Sequence, residues 1–155
     1  MHGRRPDKLE EVAREVAELS GHAPVTVLGD IQDPAVRSTI IRATLNKFFT
    51  IDGLVNNAGW ASVGGWENEN LEAMQHMLDI HVLGPYDLCR KALPYIIKNK
   101  GSIVMVSSIA SMRAVSGKLP LSFSNSVKTR TRSEKKISWF LLRVFSIFTG
   151  SWNGS

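Results

Sequence analysis

Cysteine is almost absent from this chain. The single one, Cys89, excludes an internal disulfide and fits a reducing compartment. Long apolar runs are also missing. None reaches the roughly 18 residues a membrane-spanning helix needs, and Met1 to Pro6 lack the apolar core of a secretory signal, so a cytoplasmic protein is expected. Tyrosine is scarce, with Tyr86 and Tyr95 the only two, so no phenol is available beyond residue 95. No metal site is expected.

What is present describes an ordinary globular chain. Its 155 residues suffice for one core, and 43% apolar with 21% charged residues is typical of soluble domains. The net charge of +5 is unevenly placed. From Lys118 onward seven basic residues face one acid, Glu134, whereas the rest holds twelve basic and thirteen acidic residues. The basic character therefore belongs to the tail.

The apolar pattern alternates between strand and helix. Leu9, Val12, Ala13, Val16 and Leu19 follow helical spacing over residues 7–20, with Asp7 near the start and Gly21 at the stop. Residues 23–29 (APVTVLG) predict a buried strand tipped by Asp30. A second helix over residues 34–49 opens at Pro34, with Asp33 as its N-cap and Val36, Ile40, Ile41, Leu45 and Phe48 available for burial. Residues 51–55 predict the next strand, followed by a Gly-rich loop. A helical region over residues 70–99 is expected to have a break or a junction at Gly84-Pro85. Residues 102–106 predict a last strand, ended by Ser107-Ser108. Strand alternating with helix implies parallel βαβ units in a doubly wound α/β sheet.

The most informative segment is Asn56-Asn57-Ala58-Gly59, directly after the apolar run 51–55. Two amides and a glycine at the C-terminal end of a strand make a polar shelf where open α/β sheets bind ligands. The glycine admits a close backbone approach. Here the sequence resembles the short-chain dehydrogenase/reductase family, whose signature after the fourth strand is Asn-Asn-Ala-Gly. The resemblance covers residues 3–117 and implies a Rossmann-like fold that transfers hydride between NADP(H) and an alcohol or carbonyl. The family's catalytic serine lies 52 residues after the first signature Asn, which falls on Ser108. That hydroxyl would donate to a carbonyl oxygen as negative charge develops. The resemblance makes Asn56, Asn57, Ala58 and Gly59 cofactor-binding. Arg4 and Arg5 match a second-strand end that meets the 2′-phosphate of NADP, or else form a generic basic N-terminus. Asp30 matches the acid set against the adenine ring, or else an ordinary strand-end residue.

Three departures bear on function. The family's Gly-rich phosphate turn precedes the residues matched here. Its Tyr-x-x-x-Lys acid/base pair falls on Leu121 and Asn125, and leucine cannot move a proton. A helix asparagine 25 residues after the first signature Asn is His81 here, able to hold a water or relay a proton, or simply a tolerated change. The family's strand order, 3-2-1-4-5-6, adds a topological expectation. With the first strand, and the sixth onward, unrepresented, and at most a stub of the second, the sheet is partial. The isolated chain is not expected to form the full sheet unless strands re-pair or a partner supplies them.

Residues 1–117 are thus read as a partial dinucleotide-binding domain, and residues 118–155 as a divergent basic and aromatic tail. Three readings fit the tail: sequence foreign to the family, a basic-aromatic membrane-surface segment, or a nucleic-acid contact, for which no motif is present. The expected function is that of a truncated, inactive member of an NADP(H)-dependent oxidoreductase family. The alternative is a non-enzymatic protein that pairs with a full-length subunit of that family.

Overall fold

The computed structural model describes residues 1–61 and 70–108. The boundary near residue 117, the tail, Leu121 and Asn125 lie outside the described residues. The elements run β1 (His2–Gly3), α1 (Pro6–Ser20), β2 (Val27–Leu28), α2 (Pro34–Phe48), β3 (Gly53–Asn56), α3 (Leu71–Leu78), a π-helical segment (Asp79–Leu83), α4 (Gly84–Lys98) and β4 (Ser102–Met105). The βα alternation read from the sequence is therefore present.

The helix ends follow local chemistry. Asp33 caps α2, its carboxylate accepting the Ala35 amide at 2.7 Å, with Pro34 in the first turn. Gly21 caps α1, its amide bonded to the Ala17 carbonyl. The break or junction expected at Gly84-Pro85 is a junction, the point where α4 begins. Pro85 sits in the first turn of α4, where a missing N–H is tolerated, and a π turn links α3 to α4 by a bond from the Gly84 amide to the Asp79 carbonyl. Gly84 also permits tight packing, because a Cβ there would lie 3.0 Å from the Asp79 carbonyl and 3.5 Å from that of Ile31.

All pairing is parallel. His2 and Gly3 pair with Val27 and Leu28, and Gly53 to Asn56 pair with Ser102 to Met105. Among the described residues no ladder joins the two pairs, so the consecutive strands β2 and β3 are not neighbours. The topological expectation of a discontinuous sheet holds. The Asp52 and Asn56 carbonyls accept amides from Ser102 and Val106, so alternation turns the backbone of Gly53 and Val55 toward the other edge of β3. The buried strand expected over residues 23–29 is shorter and more open, since only Val27–Leu28 is extended in a ladder and Leu28 is exposed.

Two apolar clusters form the core. Ile31, Ile80 and Leu88 pack with Ile40, Leu54, Ala58 and Trp60. Ile51, Ala92 and Ile96 pack with Leu45, Tyr95 and Ile103. Ile41 and Leu54 touch both clusters, which ties α2 and β3 to α4. Phe48, expected inside, is exposed, and Arg37 takes an inward position on α2 instead.

Arg37 is the polar staple of this layer. Its Nε donates to Asp87 Oδ2 at 2.8 Å, and its Nη1 donates to the carbonyls of Ile31 and Gln32, both at 2.7 Å. Lys91 adds bonds of 2.6 and 2.8 Å to the same carboxylate, and Arg90 one of 3.3 Å. Burial raises the Asp87 pKa, but bonds from Lys91, Arg37 and Arg90 outweigh it and bring it to about 2. No helix among the described residues is long and apolar enough to cross a membrane.

Candidate functional site

The strand ends converge on a cleft of about 320 Å³. The segment from Asn57 to Ala61, after β3, forms one side. Val106, Ser107 and Ser108, after β4, form another, and His81 from the π segment completes the lining. Two adjacent parallel strands thus deliver their C-terminal ends to one place, the position at which open α/β sheets bind ligands. The structure brings Asn57, Ala58, Gly59, His81 and Ser108 together, though they come from three stretches of chain.

Asn56 does not line the cleft. It is the last residue of β3, only 4% exposed, and its Nδ2 donates to Met105 Sδ at 3.2 Å and Cys89 Sγ at 3.4 Å. Strand alternation explains the split. Asn56 points into the layer between β4 and α4, and the exposed Asn57 is the amide that reaches the cleft.

His81 is buried, 5% exposed, although it lines the cleft. Its Nε2 lies 2.7 Å from the Trp60 carbonyl and 3.4 Å from the Trp60 amide. The shorter contact needs a proton on Nε2, so the imidazole donates to the carbonyl. The π turn places both Ile80 and His81 inside, two consecutive residues that a regular amphipathic helix would divide more sharply between its faces. Gly59 lies against the ring, and a Cβ there would come 3.2 Å from His81 Cε1.

Arg4, Arg5 and Asp30 stand at the ends of β1 and β2, outside the lining of the cleft. Arg4 Nη1 pairs with Asp30 Oδ2 at 3.7 Å, both about half exposed. Burial pushes the Asp30 carboxyl up, but the Gln32 amide at 2.9 Å, the Gln32 side chain and the Arg4 charge hold it below the usual carboxylate range. Arg5 precedes α1 as its N-cap without a side-chain bond.

Trp60, Ala61, Val106 and Ser107 were not singled out as site residues from sequence. Trp60 adjoins the Asn-Asn-Ala-Gly signature, which is the signal that could have marked it. Its ring packs on the Ile31, Ile80 and Leu88 cluster and meets His76 of α3 edge-on, with centroids 4.6 Å apart at 88°. Among the described residues no group of three His, Cys, Asp or Glu side chains could hold a metal ion.

Residues 1–122 match the short chain dehydrogenase family. The chain belongs to that family. It is 38% identical over 108 residues to 11-beta-hydroxysteroid dehydrogenase 1A of Arabidopsis thaliana, covering 69% of this chain and 31% of that protein. It is 33% identical over 93 residues to L-fucose dehydrogenase of Mus musculus, covering 59% and 33%. The chain thus spans about a third of the length of the curated relatives it matches. In structure it resembles L-sorbose reductase of Gluconobacter frateurii, solved with NADPH and L-sorbose, at a TM-score of 0.76 and 24% identity over 82% of this chain and 49% of that one. A doubly substituted short-chain dehydrogenase/reductase of Serratia marcescens gives 0.74 and 26% over 81% and 51%. The fold is therefore part of the short chain dehydrogenase Rossmann-like sheet, and the cleft lies at the C-terminal ends of its strands β3 and β4.

Proposed function

We propose that the cleft is the nicotinamide side of an NADP(H) site, and that the protein derives from an alcohol/carbonyl oxidoreductase whose own turnover is impaired. The observation that carries this reading is the meeting of Asn57 to Gly59, His81 and Ser108 at one strand-end cleft. The residues suit part of the cofactor. About 320 Å³ lies at the small end of ligand sites and suits a ring with its ribose rather than a whole dinucleotide. Gly59, flush against His81, leaves the shelf low enough for a flat group to approach. When bound, the nicotinamide supplies the hydride or accepts it. The Asn57 amide orients the ring side of the ligand, and Ser108 donates to the substrate oxygen. Arg4 and Arg5 attract the 2′-phosphate, and Asp30 faces the adenine end. Leu121 and Asn125 stand where the family carries its tyrosine and lysine, so no side chain there can deliver the proton that accompanies hydride transfer.

Titration calorimetry with NADPH and NADH tests this reading. Saturable binding is expected, tighter for NADPH, with the preference lost when Arg4 and Arg5 are both changed to Ala, and without carbonyl-dependent NADPH oxidation. Absence of saturable binding by either nucleotide, or turnover at the rate of an intact reductase, would overturn it.

A second reading rests on α4 and the last residue of the π segment before it. Leu83, Tyr86, Leu93 and Ile97, spaced three, seven and four residues apart, share one helical face and are 52%, 66%, 45% and 67% exposed. This stripe supports pairing with a full-length subunit of the same family. Co-expression tests it: the full-length subunit should co-purify and lose activity, and Leu93→Asp with Ile97→Asp should abolish both effects. Neither co-purification nor inhibition would remove this reading.

A further inference from the structure

We propose that the exposed pair Phe48-Phe49, flanked by Lys47, Lys98 and Lys100, docks this protein on an anionic membrane surface, at the end of the sheet remote from the cleft.

Phe49 is poorly suited to the position it holds. It caps α2 at φ 62° and ψ 0°, its amide returned to the Leu45 carbonyl. Gly21 ends α1 with nearly the same geometry, φ 71° and ψ 6°, and its amide likewise returns to the residue four before it, Ala17. Glycine takes that left-handed backbone without strain, whereas a bulky side chain is rarely found there. Phe49 is also 87% exposed and Phe48 53%. The cap is therefore served neither by the conformation nor by the burial of these rings. Strain held at a surface residue points to a contact made outside the fold.

The surroundings say what that contact is. Asn99 Nδ2 donates to Thr50 Oγ1 and, at 3.3 Å, to the Ile51 carbonyl, so the ends of α2 and α4 meet. Leu45, Ile51, Tyr95 and Ile96 form a packed floor behind this junction. Over residues 46–52 and 97–102 stand Lys47, Lys98 and Lys100, all exposed, against one acid, Asp52. Lys47 and Lys98 also complement the carbonyl ends of their helices, but Lys100 lies beyond α4 and is itself left-handed, at φ 54°. Rings with lysine stems beside them suit a bilayer interface: the rings enter the headgroup boundary and the ammonium groups meet anionic phosphates. A protein partner fits less well, because two adjacent rings at a helix end offer far less than the roughly 800 Å² per side of a standard interface. The junction lies beside the N-terminal ends of β3 and β4, whereas the cleft lies at their C-terminal ends. A docked molecule would therefore keep its cleft toward water.

Sedimentation of the full chain with phosphatidylcholine vesicles, with and without phosphatidylserine, tests the proposal. Binding should require phosphatidylserine and weaken as salt is raised. Phe49→Gly should lower vesicle affinity about tenfold while keeping or raising the thermal midpoint. Lys98→Gln with Lys100→Gln should lower affinity by a similar factor. A spin-labelled lipid in the vesicles should broaden the Phe48 and Phe49 amide resonances before those of Asn57 to Gly59. No sedimentation of wild type would overturn the proposal. Equal binding by wild type and both variants would also overturn it, placing the contact in residues 118–155. A lowered midpoint with unchanged affinity in Phe49→Gly would assign the ring to the fold and refute docking. Self-association that Phe49→Gly abolishes, without vesicle binding, would give the patch to a second copy and refute it as well. If Phe49→Gly does not fold, the lysine variant and the labelled lipid decide: unchanged affinity with uniform broadening refutes the proposal, and weaker binding with local broadening supports it.

Discussion

Replacing Asp87 should loosen the contact between α2 and α4 by an amount that can be worked from its surroundings. The carboxylate is 16% exposed and receives bonds from Arg37, Lys91 and Arg90, which bring its pKa from 3.8 to about 2. At about 1.4 kcal/mol per unit that is roughly 2.4 kcal/mol, and allowance for solvent screening leaves about 1–2 kcal/mol. Asp87→Asn should therefore lower hydrogen-exchange protection of the Ile41 and Ala92 amides about 5- to 30-fold near pH 6. Asp87→Ala should cost more, about 3 kcal/mol, because Arg37 and Lys91 then lose the accepting oxygen as well as the anion. The pH dependence has a fixed sign. The folded carboxyl titrates below its unfolded value of about 3.9, so its stabilisation is complete above that value and is lost as pH falls through about 2. The gap between wild type and Asp87→Asn should close at that end. Equal protection of the two proteins near pH 6, or a gap that persists undiminished at pH 2, would refute the account.

Three further outcomes are expected. Ile80→Ala, at a site 2% exposed between the cluster residues Ile31 and Leu88, should destabilise the fold by about 2–5 kcal/mol in denaturant titration, whereas Ile97→Ala, at a site 67% exposed, should change stability by less than about 0.5 kcal/mol. Gly59→Ala should weaken NADPH while leaving far-ultraviolet circular dichroism unchanged, since the added methyl meets the His81 ring and no strand. The His2 imidazole has its pKa lowered by burial, against a bond to the Gly29 carbonyl at 2.9 Å that acts to raise it. The neutral form is thus favoured in the fold, so protection of β1 and β2 amides should hold above about pH 6.5 and fall as pH drops through the lower, folded value. Protection that rises on acidification would contradict this.

The elements most legible in sequence were those whose signals are local. Asp33-Pro34 marks the start of α2 and Gly21 the end of α1, because capping depends on residues within one turn. The parallel βα rhythm and the Asn-Asn-Ala-Gly shelf were read in the same way, one from apolar period and the other from a polar strand end. What stayed hidden depends on residues far apart in the chain. Arg37 reads as a surface cation on α2 until Asp87, fifty residues on, is placed beside it. Asn56 and Asn57 are chemically alike, and only the registry of β3 sends one toward sulfur atoms and the other into the cleft. The π turn has no sequence signal, although Gly84-Pro85 marked the junction at which α4 begins. Leu28 was read as buried from its β-branched surroundings, but burial depends on which layer covers a strand, not on the strand alone.

The π turn also makes this site a matter of chain length as much as residue type. A π turn is an α-helix carrying one surplus residue, absorbed as a local widening. Deleting one residue between Asp79 and Leu83 would let the helix close into regular α geometry, with Met77 on one side and Leu88 on the other still able to face the core. Ile80 and His81 could not then both point inward, and the Trp60 carbonyl would lose its donor with no substitution at either position. Over this stretch a single-codon deletion would act like a site mutation, and no comparison of aligned residue identities alone would reveal it.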